Sequence, residues 1–141
     1  MHGLNWGQNA NNNTNLNDAN IPIRAHHIKN YPHLFPAKQN APIRLDTRGR
    51  TQRHNDRIDI VWDDDTIMEG LLEGNYRINN EVYPKQICSF PEKSQLGIYF
   101  RNRLGVPLGA RVSRRHLERY GRTTVEVSIL SEGVYYIDFS I

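Results

Sequence analysis

The chain has 141 residues, 38% of them hydrophobic, which is enough for one core and one domain. The net charge is only +3, and a single cysteine, Cys88, excludes an internal disulfide framework and fits a cytoplasmic home. No apolar run is long enough to cross a bilayer, and no segment has the basic start and apolar middle of a signal peptide.

In chain order, Gly3-Leu4-Asn5-Trp6-Gly7-Gln8 leads into an asparagine-rich tract that ends at Asn20. Apolar periodicity is absent there, so the segment reads as an irregular loop presenting an aromatic ring and amides, or as a loose terminus. Ile21-Pro22-Ile23 reads as a short edge strand, because proline cannot donate to a central ladder. Ala25 to Tyr31 suits a brief helix ended by Pro32, with Ile28, Tyr31, Leu34 and Phe35 supplying apolar contacts. Ile43 to Thr47 is a strand candidate that runs into an arginine-rich loop. A hairpin follows: Ile58, Ile60 and Trp62 alternate, Asp63-Asp64-Asp65 turns, and Ile67 to Leu72 returns. Trp62, in phase with Ile58 and Ile60, is expected to pack inward. Gly74-Asn75 breaks the strand, and a polar and aromatic stretch to Lys85 leads back into Ile87-Cys88.

Ser94 to Leu104 is the best helix, with Leu96, Tyr99, Phe100 and Leu104 as its apolar stripe. Arg101 and Arg103 are expected off that stripe, and Gly105 is a natural stop. A shorter helix starts with Ser113 as N-cap, buries Leu117 and Tyr120, and stops at Gly121. The last hairpin alternates Val125, Val127 and Ile129, turns at Ser131-Glu132-Gly133 and closes over Val134 to Phe139. Seven or so short strands with two or three short helices make a mostly-β barrel whose ends the helices plug.

Catalytic motifs fail one by one. His27-Ile28-Lys29 matches the start of the phospholipase-D motif, but Leu34 stands where its aspartate belongs. A solvated helix face accounts for it. His26-His27 with one cysteine is not zinc spacing. The triple aspartate lacks the second acidic strand of a nuclease metal site, and a hairpin turn explains it. Phosphate-cradling glycine loops and nucleophile elbows are missing. The expectation is therefore a non-catalytic chain with no catalytic residue, no metal and no cofactor.

Charge, by contrast, is segregated. Arg44, Arg48, Arg50, Arg53, His54 and Arg57 form one basic zone, and Arg111, Arg114, Arg115, His116, Arg119 and Arg122 form another. Acid gathers at Asp63-Asp64-Asp65, Glu69 and Glu73. One face suited to an anionic polymer is a natural consequence; solubilising surface charge is the plain alternative.

Five segments carry a family resemblance. They are Gly3 to Gln8 with its polar tract and Ile21-Pro22-Ile23, then residues 60 to 75, 96 to 106, 120 to 123 and 134 to 140. In order and over nearly the whole chain, these resemble the C-terminal DNA-recognition domain of NgoFVII/BfiI-type restriction endonucleases, whose catalytic domain is phospholipase-D-like. The NgoFVII set is the nearer. The resemblance implies a plant B-three-like, seven-stranded open pseudobarrel, mostly β, with two or three short helices at its ends. It implies a single DNA-binding domain over residues 1–141, with an N-terminal arm at 1–20 and a C-terminal arm at 73–86 that enter the major groove of double-stranded DNA at a specific short site. Asn5, Trp6, Gln8, Asn11, Asn13 and Asn17 then belong to the first arm, with Arg24 following it. Asn75, Tyr76, Arg77, Asn79, Asn80 and Lys85 belong to the second. Asparagine, glutamine and arginine carry the donors and acceptors that base edges require. Arg48, Arg50 and Arg53 would supply phosphate contacts that set register. The expected partners are DNA and an N-terminal nuclease domain of the same parent chain. No membrane is involved, the isolated domain is monomeric, and its setting is a restriction-modification system in a bacterial cytoplasm. The alternative from another class is a β-barrel protein-interaction or carbohydrate-binding module with solubilising basic patches.

Overall fold

A computed structural model of the protein describes residues 17–37 and 56–141, together with the backbone at 5–6, 44–45 and 51–52. The first elements are β1 (Asn5–Trp6), β2 (Ala19–Pro22), α1 (Ala25–Asn30), β3 (Arg44–Leu45) and β4 (Thr51–Gln52). The middle of the chain forms β5 (Asp56–Trp62), β6 (Ile67–Glu73), β7 (Tyr76–Ile78), β8 (Glu81–Tyr83) and β9 (Gln86–Ser89). The chain closes with α2 (Ser94–Leu104), α3 (Arg114–Tyr120), β10 (Glu126–Ser131) and β11 (Val134–Asp138).

Seven strands form one sheet in the order β1-β2-β9-β6-β5-β11-β10, which curls into a half-barrel. Every neighbouring pair is antiparallel except β11 with β5. The expected B-three-like pseudobarrel is the fold. Strands β3 with β4 and β7 with β8 form two separate ribbons.

Alternation builds the core. Ile58, Ile60 and Trp62 of β5 are buried, while Arg57 before them and Asp59 between them face solvent. Ile21, Leu72, Ile87, Tyr135 and Ile137 join them from the other strands, and α2 closes the layer with Leu96 and Phe100. Both longer helices stop where expected, at Gly105 (φ 71°) and Gly121 (φ 113°), in the left-handed conformation that glycine adopts without a Cβ penalty. Histidine at the third position caps α1 and α3 alike. The Arg24 N–H donates to His27 Nδ1 at 3.0 Å, and the Ser113 N–H to His116 Nδ1 at 2.9 Å.

Four expectations need correction. Strand β2 lies between β1 and β9, not at an edge. Pro22 is tolerated because it is the last residue of β2, beyond the two pairs that β1 makes with Ala19 and Asn20. Tyr120 is only partly buried. His27 and Ile28 are buried, so the His27-Ile28-Lys29 run is not a solvated helix face. The stretch from 75 to 85 forms the β7–β8 ribbon, which pairs Tyr76 with Tyr83, Arg77 with Val82 and Ile78 with Glu81.

Nor do Arg101 and Arg103 lie off the α2 stripe. Arg101 is fully buried. The Arg103 guanidinium donates to Asp63 Oδ1 at 2.7 Å and Oδ2 at 2.8 Å, and also to the Tyr99 hydroxyl, the Tyr120 hydroxyl and the Phe139 carbonyl. Asp63 Oδ1 in turn accepts the Phe139 N–H at 2.7 Å. A planar fork with several donors can serve acceptors on separate elements, and here it ties the β5–β6 turn, α2, α3 and the end of the chain together. Asp63 is thus an internal counter-ion as well as a turn residue.

Candidate nucleic-acid interface

The two segments that the sequence singles out as arms leave the sheet from opposite ends of the β2–β9 pair. Strand β1 pairs Asn5 with Asn20 and Trp6 with Ala19, so the connection from 7 to 18 departs at the Ala19 end of β2. The β7–β8 ribbon departs at the other end, where Glu73 pairs with Gln86 and Pro22 also meets Gln86. Strands β2, β9 and β6 form the floor between them.

The C-terminal ribbon is anchored on one face and free on the other. Ile78 and Tyr83, which share a face, pack against the core. Arg77 and Val82 occupy the opposite face. At the tip, Asn79 and Asn80 have φ of 51° and 67°, the double left-handed turn that joins strands in a two-residue loop. Asn79, Asn80 and Arg77 are exposed, and no ion pair forms at Arg77 among the described residues. The ribbon's root is fixed by the Lys85 N–H donating to the Glu73 carbonyl and by the Ile23 N–H donating to the Lys85 carbonyl, both at 2.8 Å. Gly74 (φ 93°) faces Lys85 so closely that an added Cβ would lie 2.8 Å from the Lys85 Cβ. Arg24, exposed as the α1 N-cap, follows β2 directly at this same end. Arg24, Asn75, Tyr76, Arg77, Asn79, Asn80 and Lys85 therefore cluster at one end of the sheet.

The floor carries its own charge pair. Glu73 accepts from Lys93 Nζ at 2.7 Å and from Gln86 Nε2 at 2.8 Å, and Cys88 Sγ lies 3.6 Å away. Burial alone would raise the Glu73 pKa, yet the Lys93 ammonium outweighs it and holds the carboxyl below its usual range. Burial, with Glu73 beside it, pushes the Cys88 thiol up to about 12. Cys88 is thus an inert thiol, and the carboxylate between the arms is neutralised by its lysine.

The N-terminal arm has a second anchor that the sequence did not announce. Asn17 Oδ1 accepts the Gly109 N–H at 2.6 Å, and the Asn17 carbonyl accepts Arg101 Nη1 at 3.3 Å. Asn17 is thereby engaged inside the molecule. The available signal was Gly97, a glycine in mid-helix: a Cβ there would overlap the Asn17 carbonyl. Asn5 and Trp6 belong by backbone to β1. Gln8, Asn11, Asn13, Arg48, Arg50 and Arg53 lie outside the described residues, although Arg48 and Arg50 fall in the connection between β3 and β4.

Helix α3 sits at the β5–β6 turn, since Tyr120 and Asp63 share the Arg103 guanidinium. That is the far end of β6 from the ribbon. Arg114 pairs with Glu118 at 2.9 Å, and Arg122 with Asp138 at 3.4 Å. Arg111, Arg115 and Arg119 are exposed and make no ion pair among the described residues.

The profile of the NgoFVII C-terminal B3-like DNA-binding domain family covers residues 1–131. The chain belongs to this family. Curated proteins give no match. As a member of the NgoFVII C-terminal family, the chain is a B3-like DNA-binding domain of a restriction enzyme.

Proposed function

We propose that the domain reads a short double-stranded DNA sequence through the major groove. In this reading it is the target-recognition half of a restriction endonuclease whose phospholipase-D-like nuclease domain lies elsewhere in the parent chain. The observation that carries the reading is the β7–β8 ribbon. Ile78 and Tyr83 hold it on the core, while Arg77, Asn79 and Asn80 present free donors and acceptors on its outer face and tip. A two-stranded ribbon fits the major groove, which is about 12 Å wide, and arginine pairs bidentately with guanine as asparagine does with adenine. The arm from 7 to 18 would grip the same groove from the other side of the strand floor. Arg48, Arg50, Arg53 and the unpaired arginines of α3 would contact phosphates, which fixes register without reading sequence.

Selection from a randomised duplex pool, followed by sequencing of the retained DNA, tests this. One short enriched motif supports it. Binding without enrichment at moderate salt would leave a non-specific basic surface, and no binding would return the domain to the protein- or carbohydrate-binding class.

A further inference from the structure

We infer that Asn17 serves DNA recognition as a positioning residue, fixing the trailing end of the N-terminal arm from inside the domain rather than touching a base. The inference rests on the DNA reading above. Asn17 lies two residues before β2, where the arm rejoins the sheet. Three features hold it. Its side-chain oxygen accepts the Gly109 N–H at 2.6 Å. Its carbonyl accepts from Arg101, which is fully buried and also donates to the Gly97 carbonyl and the Ala110 carbonyl, both at 3.1 Å. And its carbonyl occupies the gap left by the missing side chain of Gly97.

An asparagine that reads adenine must present its amide oxygen and nitrogen together to the base edge. The Asn17 oxygen is committed to Gly109, so that pairing would require the anchor to break. The buried Arg101 is costly to place in the interior, and a guanidinium that spans three carbonyls holds helix α2, the 105–110 loop and the arm in one arrangement. The trailing end of the arm is therefore set by α2.

The test uses the intact domain, the motif enriched by the selection above and a random duplex as the reference. Asn17→Ala and Gly97→Ala are expected to weaken cognate binding about ten- to hundredfold, the scale of one lost base-pair contact, and to change random-duplex binding less than about twofold. Asn17→Asp keeps the oxygen acceptor for Gly109 and should restore both cognate affinity and the wild-type site preference. A base contact predicts otherwise: Asn17→Asp fails to rescue, preference relaxes at one base pair, and Gly97→Ala leaves binding unchanged. That result overturns the inference. Thermal melts check folding, and if Gly97→Ala does not fold, the Asn17→Ala and Asn17→Asp pair decides. A wild type that enriches no motif overturns the DNA reading and this inference with it. A wild type that selects a motif while the variants bind normally overturns the anchor alone.

Discussion

Trp62 fills the centre of the core, its ring 4.4 Å from Tyr99 and 5.3 Å from Phe100 between centroids, with none of its surface exposed. Its indole N–H has no acceptor among the described residues, so the side chain contributes through packing. Trp62→Ala should therefore cost about 3–5 kcal/mol in urea unfolding. Trp62→Phe should cost clearly less, because it keeps most of the ring volume and loses no hydrogen bond. Equal losses would place the tryptophan's worth in its indole N–H. The neighbouring Asp63 makes a different demand. Burial pushes its pKa up, but the Arg103 donor pair and the Phe139 N–H outweigh that and hold it below the ordinary value of about 4. A carboxyl with a lowered folded-state pKa stabilises fully above the unfolded value. That stability is lost as pH falls through the lower, folded-state pKa. Melts of the wild type should weaken below about pH 4 more steeply than those of Asp63→Asn, which starts less stable and lacks this titration. Parallel acid limbs would mean that the Arg103–Asp63 pair adds nothing.

At the scale of elements, the β7–β8 ribbon divides a core-packed face from a free one. One face is spent on Ile78 and Tyr83 against the core, so Arg77 on the other face is held in place without being neutralised. Arg77→Ala should then leave the melting temperature nearly unchanged. On the cognate site it should lose about 1–3 kcal/mol and relax preference at one base pair, with little loss on random DNA. A uniform loss across single-base variants would make Arg77 a phosphate contact instead. Much of this element structure was legible in the sequence. The period-two runs marked β5 and β10, the turns after them marked β6 and β11 as returning strands, the Gly74-Asn75 break marked the start of the ribbon, and the apolar stripe with Gly105 bounded α2. What stayed hidden depends on contacts between residues far apart in sequence. Arg103 meets Asp63, 40 positions away, and Arg101 meets Asn17, 84 positions away, so neither partner is visible in a local window. Local pattern made both arginines look like solvated helix surface. It also made Asn17 look like one more amide of a polar tract.

For the whole molecule, the question is how a chain of net charge +3 meets a polyanion. Three carboxylates are paired across the fold: Asp63 with Arg103, Glu73 with Lys93 and Asp138 with Arg122. Exposed cations then remain at both ends of the strand floor, with Arg24, Arg77 and Lys85 by the ribbon and Arg111, Arg115 and Arg119 around α3. A duplex at either end meets the local field of these cation clusters rather than the net charge. Each phosphate neutralised releases condensed counterions and adds about 0.9 to the negative slope of log affinity against log salt. The cognate complex should therefore show a steep salt dependence. Arg115→Ala or Arg119→Ala should make that slope shallower by about 0.9 for cognate and random duplexes alike, if the duplex spans from ribbon to α3. Removing an arginine that reads a base changes specificity more than slope, so the two kinds of arginine separate in one titration series. A slope near zero for the wild type would refute electrostatic docking altogether. A steep wild-type slope that neither α3 substitution alters would confine the duplex to the arms and leave α3 off the DNA.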